Sequence, residues 1–471
     1  MLTEKVRQHF NVVAVSRAKW KKKAKYYHDS LEKLYSFLIP KLSRVLEIGC
    51  GTGDLLNATS PSYGMGIDIA ERMIEIARKK YQRLRFVQMD AQALTIQEKF
   101  DYVILSDVIG NLEDIQKSFD ELHKVANSNT RIVITYYNTL WEPILNLIER
   151  VGLKMPQPPQ NWLSQEDIEN LLKLANFEVI KKGTLILIPL KIPFISNFIN
   201  KFIARLPLIK HLCLVQYFIA RQMPYLHSNS DYSVSLIIPA RNEAGNIERI
   251  LKEVPNLGTK MEYIFIEGHS KDNTKNEIER IIKKYKEKKD IILIDQKKGI
   301  GKADAVRLGF DVAKHEICVV FDADLTVSPA DLPKFYQSLR TRKGELVQGS
   351  RLVYPMEHQA MKFLNIIGNK LFSIAFSFLL DQPIKDTLCG TKALFRKDYE
   401  KIKKNRSYFG DFDPFGDYDL IFGASKLNLK IIEIPIRYKA RSYGTTNISR
   451  FTHGWLLLRM TLIAAKKLKF V

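Results

Sequence analysis

The sequence predicts an α/β protein built as two domains in tandem. Three observations carry that reading. At 471 residues the chain has room for two to three domains. In both halves short apolar runs, read as strands, alternate with helix-compatible segments. A polar stretch, Leu226-His-Ser-Asn-Ser-Asp-Tyr232, separates the halves and reads as a linker. The expected division is therefore residues 1–225, a linker at 226–232, and 233–471.

Composition narrows the class. Hydrophobic residues at 46% and charged residues at 26% describe a globular chain. A formal net charge of +22 points to phosphorylated substrates, an anionic membrane or nucleic acid. No zinc-finger spacing or aromatic RNA-binding signature occurs, so nucleic acid ranks last and none is expected. Cys50, Cys213, Cys318 and Cys389 are scattered, with neither metal spacing nor a disulfide framework, which fits a reducing cytosol. The N-terminus lacks the apolar core of a signal peptide, and no apolar run reaches roughly 18 residues, so no spanning helix is predicted.

In the first half, residues 20–41 look helical, basic and aromatic. Val45-Leu-Glu-Ile-Gly-Cys-Gly-Thr-Gly53 is then an apolar strand running into Gly-x-Gly-x-Gly, with a helix-compatible segment behind it. Such glycines let the backbone turn tightly and approach a ligand, and the following helix start adds oriented N–H groups. Gly64-Met-Gly-Ile-Asp68 reads as a second strand ending in an acid, where ribose hydroxyls would be gripped in a doubly wound fold. Further strands are expected at 85–91, ending in Asp90, at 100–107, ending in Asp107, and at 131–137. A parallel sheet with ligands at the strand C-termini follows.

Residues Glu47 to Gly53, Asp68, Asp90-Ala91 and Ser106-Asp107 make this half resemble class I S-adenosylmethionine-dependent methyltransferases. The resemblance implies a Rossmann-like domain. Gly49, Gly51 and Gly53, preceded by Glu47, would face the methionine part of S-adenosylmethionine. Asp68 would hold the ribose, and Asp90 with Ala91 the adenine. The donor is already a sulfonium cation, so positioning the acceptor can suffice. Asp107 is a candidate acceptor-side base, or else a strand-end acid.

Residues 186–220 are dominated by Leu, Ile, Phe and Pro, with Lys191, Lys201, Arg205 and Lys210 interspersed, and prolines 189, 193 and 207 break the run. Phe198, Phe202 and Leu206 recur at helical spacing. The segment is expected to be either a core or domain-packing helix or an interfacial segment lying on an anionic leaflet.

The second half opens with a strand at 234–238 that runs into Pro239-Ala-Arg-Asn-Glu-Ala-Gly245, with Asn242 or Glu243 as cap of the next helix. A strand at 263–266 ends in Glu267-Gly-His-Ser-Lys-Asp-Asn-Thr274, rich in acids and hydroxyls suited to a base and ribose. A strand at 291–295 precedes Gly299-Ile-Gly-Lys-Ala303. Ile317 to Phe321 reads as a buried strand ending in Asp322-Ala-Asp324. On a continuing strand these two carboxylates would share a face. They suit a divalent cation held by one or two carboxylates plus substrate phosphates. Leu346-Val-Gln-Gly-Ser-Arg351 is another short strand ending in a cation.

These pieces, with Asp386-Thr-Leu-Cys-Gly-Thr-Lys392, resemble family 2 glycosyltransferases of GT-A fold, and within them the dolichyl- or polyprenyl-phosphate sugar transferases. They cover nearly all of residues 232–450. The resemblance implies that Pro239, Arg241 and Glu243 line a nucleotide pocket, with Glu267, Ser270 and Asp272 near the base and ribose. Asp322 and Asp324 would hold Mg²⁺ or Mn²⁺ on the diphosphate, with Thr326 as a further oxygen donor, and Lys302 and Arg351 would sit near phosphates. One loop departs from the family pattern: Glu267-Gly-His-Ser270 stands where Asp-Asp-Gly-Ser is usual, which leaves the donor's base open.

Single displacement would invert the anomeric centre as the diphosphate leaves. A hydroxyl acceptor needs a general base; a phosphate is already anionic, with a second pKa of about 6. Asp417 and Asp419 are the candidates for base or acceptor positioning, or else turn acids before a helix. Residues 361–380 are apolar nearly all round and read as a buried helix or an interface helix beside a lipid-linked acceptor. Lys392, Arg437 and Arg441 are candidates for acceptor or phosphate contact, followed by Thr446, Asn447 and Arg450. The tail from Trp455, apolar then basic (Lys466, Lys467, Lys469), reads as a membrane-surface helix.

The expectation is thus a cytoplasmic, peripherally membrane-associated bifunctional enzyme. A nucleotide-diphosphate sugar would be the donor and polyprenyl phosphate the acceptor, with S-adenosylmethionine-dependent methylation of a glycan or lipid-linked intermediate. The alternative is transfer to a glycan hydroxyl in cell-surface polysaccharide synthesis, with the first half a non-catalytic S-adenosylmethionine-binding scaffold.

Overall fold

The computed structural model describes residues 2–224, 230–297, 301–354, 363–410, 416, 418–439, 441, 443 and 450–470, with the side chains of 363–367 and 450–453 left aside. The chain divides into two compact units, Met1–Met223 and Pro224–Val471. Of the expected linker, 226–232, residues 226–229 lie outside the described residues.

In the first unit the described strands are β1 (Arg44–Ile48), β2 (Tyr63–Asp68), β3 (Arg85–Gln88), β4 (Tyr102–Ser106), β5 (Arg131–Tyr137), β6 (Phe177–Leu185) and β7 (Val215–Gln222), in the order β3-β2-β1-β4-β5-β7-β6. β1 to β5 are mutually parallel. β7 is antiparallel to both its neighbours, so the sheet is mixed. This corrects the all-parallel expectation and the reading of 186–220 as broken helical pieces. Val215 to Ala220 is buried throughout, and a fully buried strand shows no alternation to tell it from a buried helix. The strand order reverses between β1 and β4, which opens a crevice beyond their C-terminal ends. Helices Leu2–Val13, Arg17–Lys23 and Lys25–Leu38 precede the sheet.

In the second unit the described strands are β8 (Val234–Ala240), β9 (Met261–Glu267), β10 (Asp290–Asp295), β11 (Ile317–Val320), β12 (Leu346–Ser350), β13 (Lys392–Phe395) and β14 (Ile431–Pro435), in the order β10-β9-β8-β11-β13-β12-β14. β13 runs antiparallel between β11 and β12. The pleat sorts β11 cleanly: Ile317 and Val319 join the core on one face, Cys318 and Val320 the core on the other. The switch in strand order lies between β8 and β11, and both of their loops carry acids.

The two apolar helices expected late in the chain are two-faced. In Phe363–Leu380, Phe376, Leu379 and Leu380 are buried while Leu371 and Ile374 are exposed. In Arg450–Ala464, Leu457 and Met460 join the same core, while Trp455, Leu458 and Leu462 stay outside. Lys469 is not a surface cation as expected: it is buried and paired with Asp381.

Candidate functional sites

In the first unit the glycine loop leaves β1. Gly49, Gly51 and Gly53 all have positive φ, a conformation that only glycine adopts without cost. A Cβ at Gly53 would lie 2.6 Å from Phe86, so a side chain there is excluded by packing as well. Asp68, at the end of β2, accepts from Gly51 N at 2.8 Å and Ala70 N at 2.9 Å, which fixes the loop against the neighbouring strand. Burial raises its pKa against those two bonds. Glu47 needs correction as a ligand contact. Its carboxylate is buried and accepts from Leu56 N at 2.9 Å, so it shapes the turn from behind. Burial, against the pull of Lys21, pushes it up to about 8.

Asp90 accepts from Gln92 N at 2.9 Å and borders a groove of about 1040 Å³ also lined by Thr3, Gln92 and Trp162, while Ala91 is buried and does not line it. Asp107 sits at φ 56 just past β4. Tyr27 donates to its Oδ2 at 2.6 Å, and its buried Oδ1 has no protein partner among the described residues. Burial raises Asp107 to about 6. Tyr137 packs near Tyr27, and Trp162 near Tyr137.

Two cations missed at the sequence level cover the glycine loop. Arg17 lies over Gly51, and Lys21 pairs with Asp54 at 2.7 Å. The signal was the basic run Arg17-Ala-Lys-Trp-Lys-Lys-Lys23, of which only the part from Trp20 was read, as the start of a basic helix. An orphaned acid oxygen, a loop with glycine at three of its five positions and overlying cations fit a donor with a carboxylate, hydroxyls and a sulfonium.

In the second unit the loops after β8 and β9 are laced together. Asn242, at φ 56, donates its N–H to Ser270 Oγ at 3.0 Å and accepts from Lys271 N at 2.7 Å. Glu243 N donates to Thr274 Oγ1 at 2.9 Å. Glu267 accepts from Ser270 N at 2.6 Å and His269 N at 3.2 Å, closing its own loop. Neither Asn242 nor Glu243 caps the helix Ala244–Glu253 with its side chain; Asp272 does so from the facing loop, accepting from Ala244 N at 3.3 Å. Burial opposes the charge on Asp272, but the bonds from Thr274 and Ala244 outweigh it and lower its pKa. Pro239 is half-buried in β8, and Arg241 is exposed.

β11 stops at Val320, so Asp322 and Asp324 do not ride a continuing strand as expected. They lie in the turn that follows, with Leu325 at φ 54. Lys302, first residue of the helix Lys302–Val312, holds Asp322 Oδ1 at 2.6 Å. Burial works against the charge on Asp322, yet Lys302 keeps its pKa below the usual value. Arg441 bridges Asp324 Oδ2 at 2.7 Å and Glu243 Oε1 at 3.4 Å. Thr326 donates its N–H and hydroxyl to Asp324 Oδ1, at 3.1 and 2.7 Å. Burial, then the charge of Asp324, raises Glu243 to about 7 against the bond from Asn246. A Cβ at Gly390 would overlap Asp322 and Lys302, so the site is moulded around a bare backbone.

Hard carboxylate oxygens beside two displaceable cations fit Mg²⁺ or Mn²⁺. Among the described residues no three His, Cys, Asp or Glu side chains converge as a complete metal cage. The ion would thus be held by one or two carboxylates together with the donor's phosphates.

Four expected site residues have protein partners of their own. Arg351 is no free phosphate contact: it is buried, and its Nε and Nη2 form a fork on Asp386 at 2.7 and 2.8 Å. Lys392 is fully buried and donates to Cys389 O, and its charge helps lower the pKa of Asp322. Arg437 is exposed and stacks on Tyr354, while Arg441 serves the acids. Asp419 does not stand free as a base: Arg307 Nε at 3.0 Å and Arg406 Nε at 2.7 Å both hold its Oδ2. Asp417, Thr446 and Asn447 lie outside the described residues, as do Gly299 and the side chain of Arg450.

Two group-transfer sites on two α/β folds thus share one chain. The chain is a fusion of a methyltransferase domain, matched over residues 20–182, and a member of Glycosyl transferase family 2, matched over residues 235–403. It is similar to an uncharacterized protein of Methanocaldococcus jannaschii, 30% identical over 227 residues, covering 45% of this chain and 91% of that one. It is 28% identical over 223 residues to a dolichol-phosphate mannosyltransferase of Pyrococcus furiosus, covering 46% of this chain and 59% of the relative. It is also 29% identical over 193 residues to a malonyl-[acyl-carrier protein] O-methyltransferase of Bacillus cytotoxicus, covering 38% of this chain and 65% of that protein. The chain therefore spans about three-fifths to two-thirds of the length of the last two.

Proposed function

We propose that the C-terminal unit transfers a sugar, with inversion, from a nucleotide-diphosphate sugar to polyprenyl phosphate. The N-terminal unit methylates a glycan or lipid-linked intermediate from S-adenosylmethionine. The carrying observation is the convergence of Asp322, Asp324, Lys302 and Arg441 beyond β11. When bound, the divalent ion would neutralise charge on the departing diphosphate. The chain's own part is to supply cations. Lys302 and Arg441, released from their acids, would face the phosphates, while the laced loops 240–244 and 267–274 would seat the nucleoside.

The occupied state of Asp419 supports a phosphate acceptor, which needs no base. Relatives named as dolichol-phosphate mannosyltransferase and dolichyl-phosphate N-acetylglucosaminyltransferase support the same acceptor class. No helix among the described residues is long and apolar enough to cross a membrane. The exposed Leu371, Ile374, Trp455, Leu458 and Leu462 support peripheral contact with an anionic leaflet. Labelled sugar is expected to enter the organic-extractable lipid pool; label confined to the aqueous phase would refute the reading. Asn at both Asp417 and Asp419 is expected to slow transfer less than about tenfold. A loss of the 10²–10⁴-fold that general-base catalysis contributes would favour a hydroxyl acceptor.

In the N-terminal unit Asp107 is the candidate acceptor-side base. Its raised pKa means that it is ionised above about pH 6 and protonated below. Methyl transfer is expected to rise with pH through that value, and the rising limb should vanish in Asp107→Asn. A profile unchanged by that substitution would remove Asp107 from proton transfer.

A further inference from the structure

The segment after β6 is folded inside out. Ser196 and Asn200 turn inward: Ser196 is buried and donates to Leu190 O at 2.6 Å, and Asn200 accepts from Leu187 N and Ile188 N at 2.7 and 2.9 Å. The apolar side chains point out instead. Phe194 is 91% exposed and Leu208 88%, and Ile195, Phe198, Phe202 and Leu212 are exposed beside them. Phe194 is held at φ 61, a left-handed conformation that a phenylalanine adopts only at a cost. Exposed apolar groups on this scale mark an interaction surface.

The face continues onto neighbouring elements and reaches the methyl-transfer site. Trp141 donates to Leu212 O at 2.9 Å, which joins it to the helix Glu142–Arg150 with exposed Ile144 and Leu147. Asn200 donates to Tyr26 Oη at 3.0 Å, and the next residue, Tyr27, holds Asp107. The outward face thus adjoins the acceptor side of the pocket.

Its charge selects the occupant. From Val179 to Ser230 the sequence has no Asp or Glu, while Lys191, Lys201, Arg205 and Lys210 are interleaved with the exposed apolar residues. Apolar groups that can enter the acyl boundary, flanked by cations unopposed by acids, are complementary to anionic headgroups. We propose that this face docks the N-terminal unit on an anionic lipid bilayer, and that its methyl acceptor is a membrane-held amphiphile delivered from that side. The second clause rests on the methyl-donor reading given above.

The four native cysteines are buried, so a thiol placed at Phe194 is selectively labelled. Full-length Phe194→Cys carrying an environment-sensitive fluorophore is mixed with vesicles of phosphatidylcholine alone or with phosphatidylglycerol added. The probe is expected to brighten and shift to the blue with the anionic vesicles, and to respond weakly to the neutral ones. A probe at Ser128→Cys, at the opposite end of the sheet, should not respond. Phe194→Ser combined with Phe198→Ser and Leu208→Ser, with an unchanged melting profile, should weaken vesicle binding by at least about tenfold, the effect of losing one large buried apolar side chain. A silent probe at Phe194 overturns the proposal. So does a response to protein concentration without vesicles, which would mark self-association or a protein partner. Calorimetry with S-adenosylmethionine separates the two clauses. Absence of binding there with the probe still responding overturns the methyl-acceptor clause and the methyl-donor reading, and upholds the docking face.

Discussion

Alanine at both Asp322 and Asp324 is expected to lower sugar transfer by about 10²–10³-fold, the scale on which removing preorganised charge at a reacting centre acts. The two acids do more than receive a divalent ion. Asp322 anchors Lys302 at the start of its helix, where a cation opposes the helix dipole, and Asp324 anchors Arg441. With both carboxylates gone, Lys302 loses its ion pair with Asp322 and Arg441 keeps only the longer contact to Glu243 of its two bridged acids, so the cations are less firmly placed where a diphosphate would arrive. The measurement is label transfer into extractable lipid, with S-adenosylmethionine calorimetry on the same protein showing that the N-terminal unit is intact. Excess chelator should bring the unaltered enzyme to a similar level. Full rate in chelator together with loss in the variant would mean that the acids serve by positioning Lys302 and Arg441, and the metal would be dropped. Full rate in both would remove the site assignment altogether.

Much of the fold was legible because strand-ending acids and glycine turns are local signals. The five strands from β1 to β5 lie within a few residues of their expected places, and β5 matches at both ends. β7 was missed because its pairing is non-local: only the partners β5 and β6 identify Val215 to Gln222 as a strand. At the sites, the residue types were legible but their partners were not. That Arg351 would be spent on Asp386, or Asp419 on two arginines from separate helices, depends on contacts made across 35 and 112 residues. The same holds for the outward phenylalanines of 194–202. Their helical spacing showed a coherent apolar face but not which way it pointed.

Asp386→Ala is expected to destabilise the C-terminal unit by about 3–5 kcal/mol, the cost of leaving a buried charge without its partner. Asp386 is fully buried and accepts from Arg351 through its fork and its N–H, from Asn369 Nδ2 at 2.9 Å and from Leu388 N at 3.1 Å. Burial alone would raise its pKa, but Arg351 outweighs this and holds it at about 2. A depressed folded pKa contributes stability that is complete above the unfolded value, near 3.9 for Asp. That contribution is lost as pH falls from there through about 2. Unfolding of this unit should therefore become easier with acid below about pH 4, and Asp386→Ala should flatten that limb. Replacing both partners, Arg351→Met with Asp386→Leu, should recover much of the loss, since no orphaned charge remains. A double variant no more stable than Asp386→Ala would show that the bonds to Asn369 and the loop, not the ion pair, carry the effect. The loop also has a functional consequence. It runs from Asp386 to Gly390, whose bare backbone lies against Asp322 and Lys302. Asp386→Ala should therefore reduce sugar transfer at temperatures where the unit is still folded, with Asp322 and Lys302 themselves unchanged.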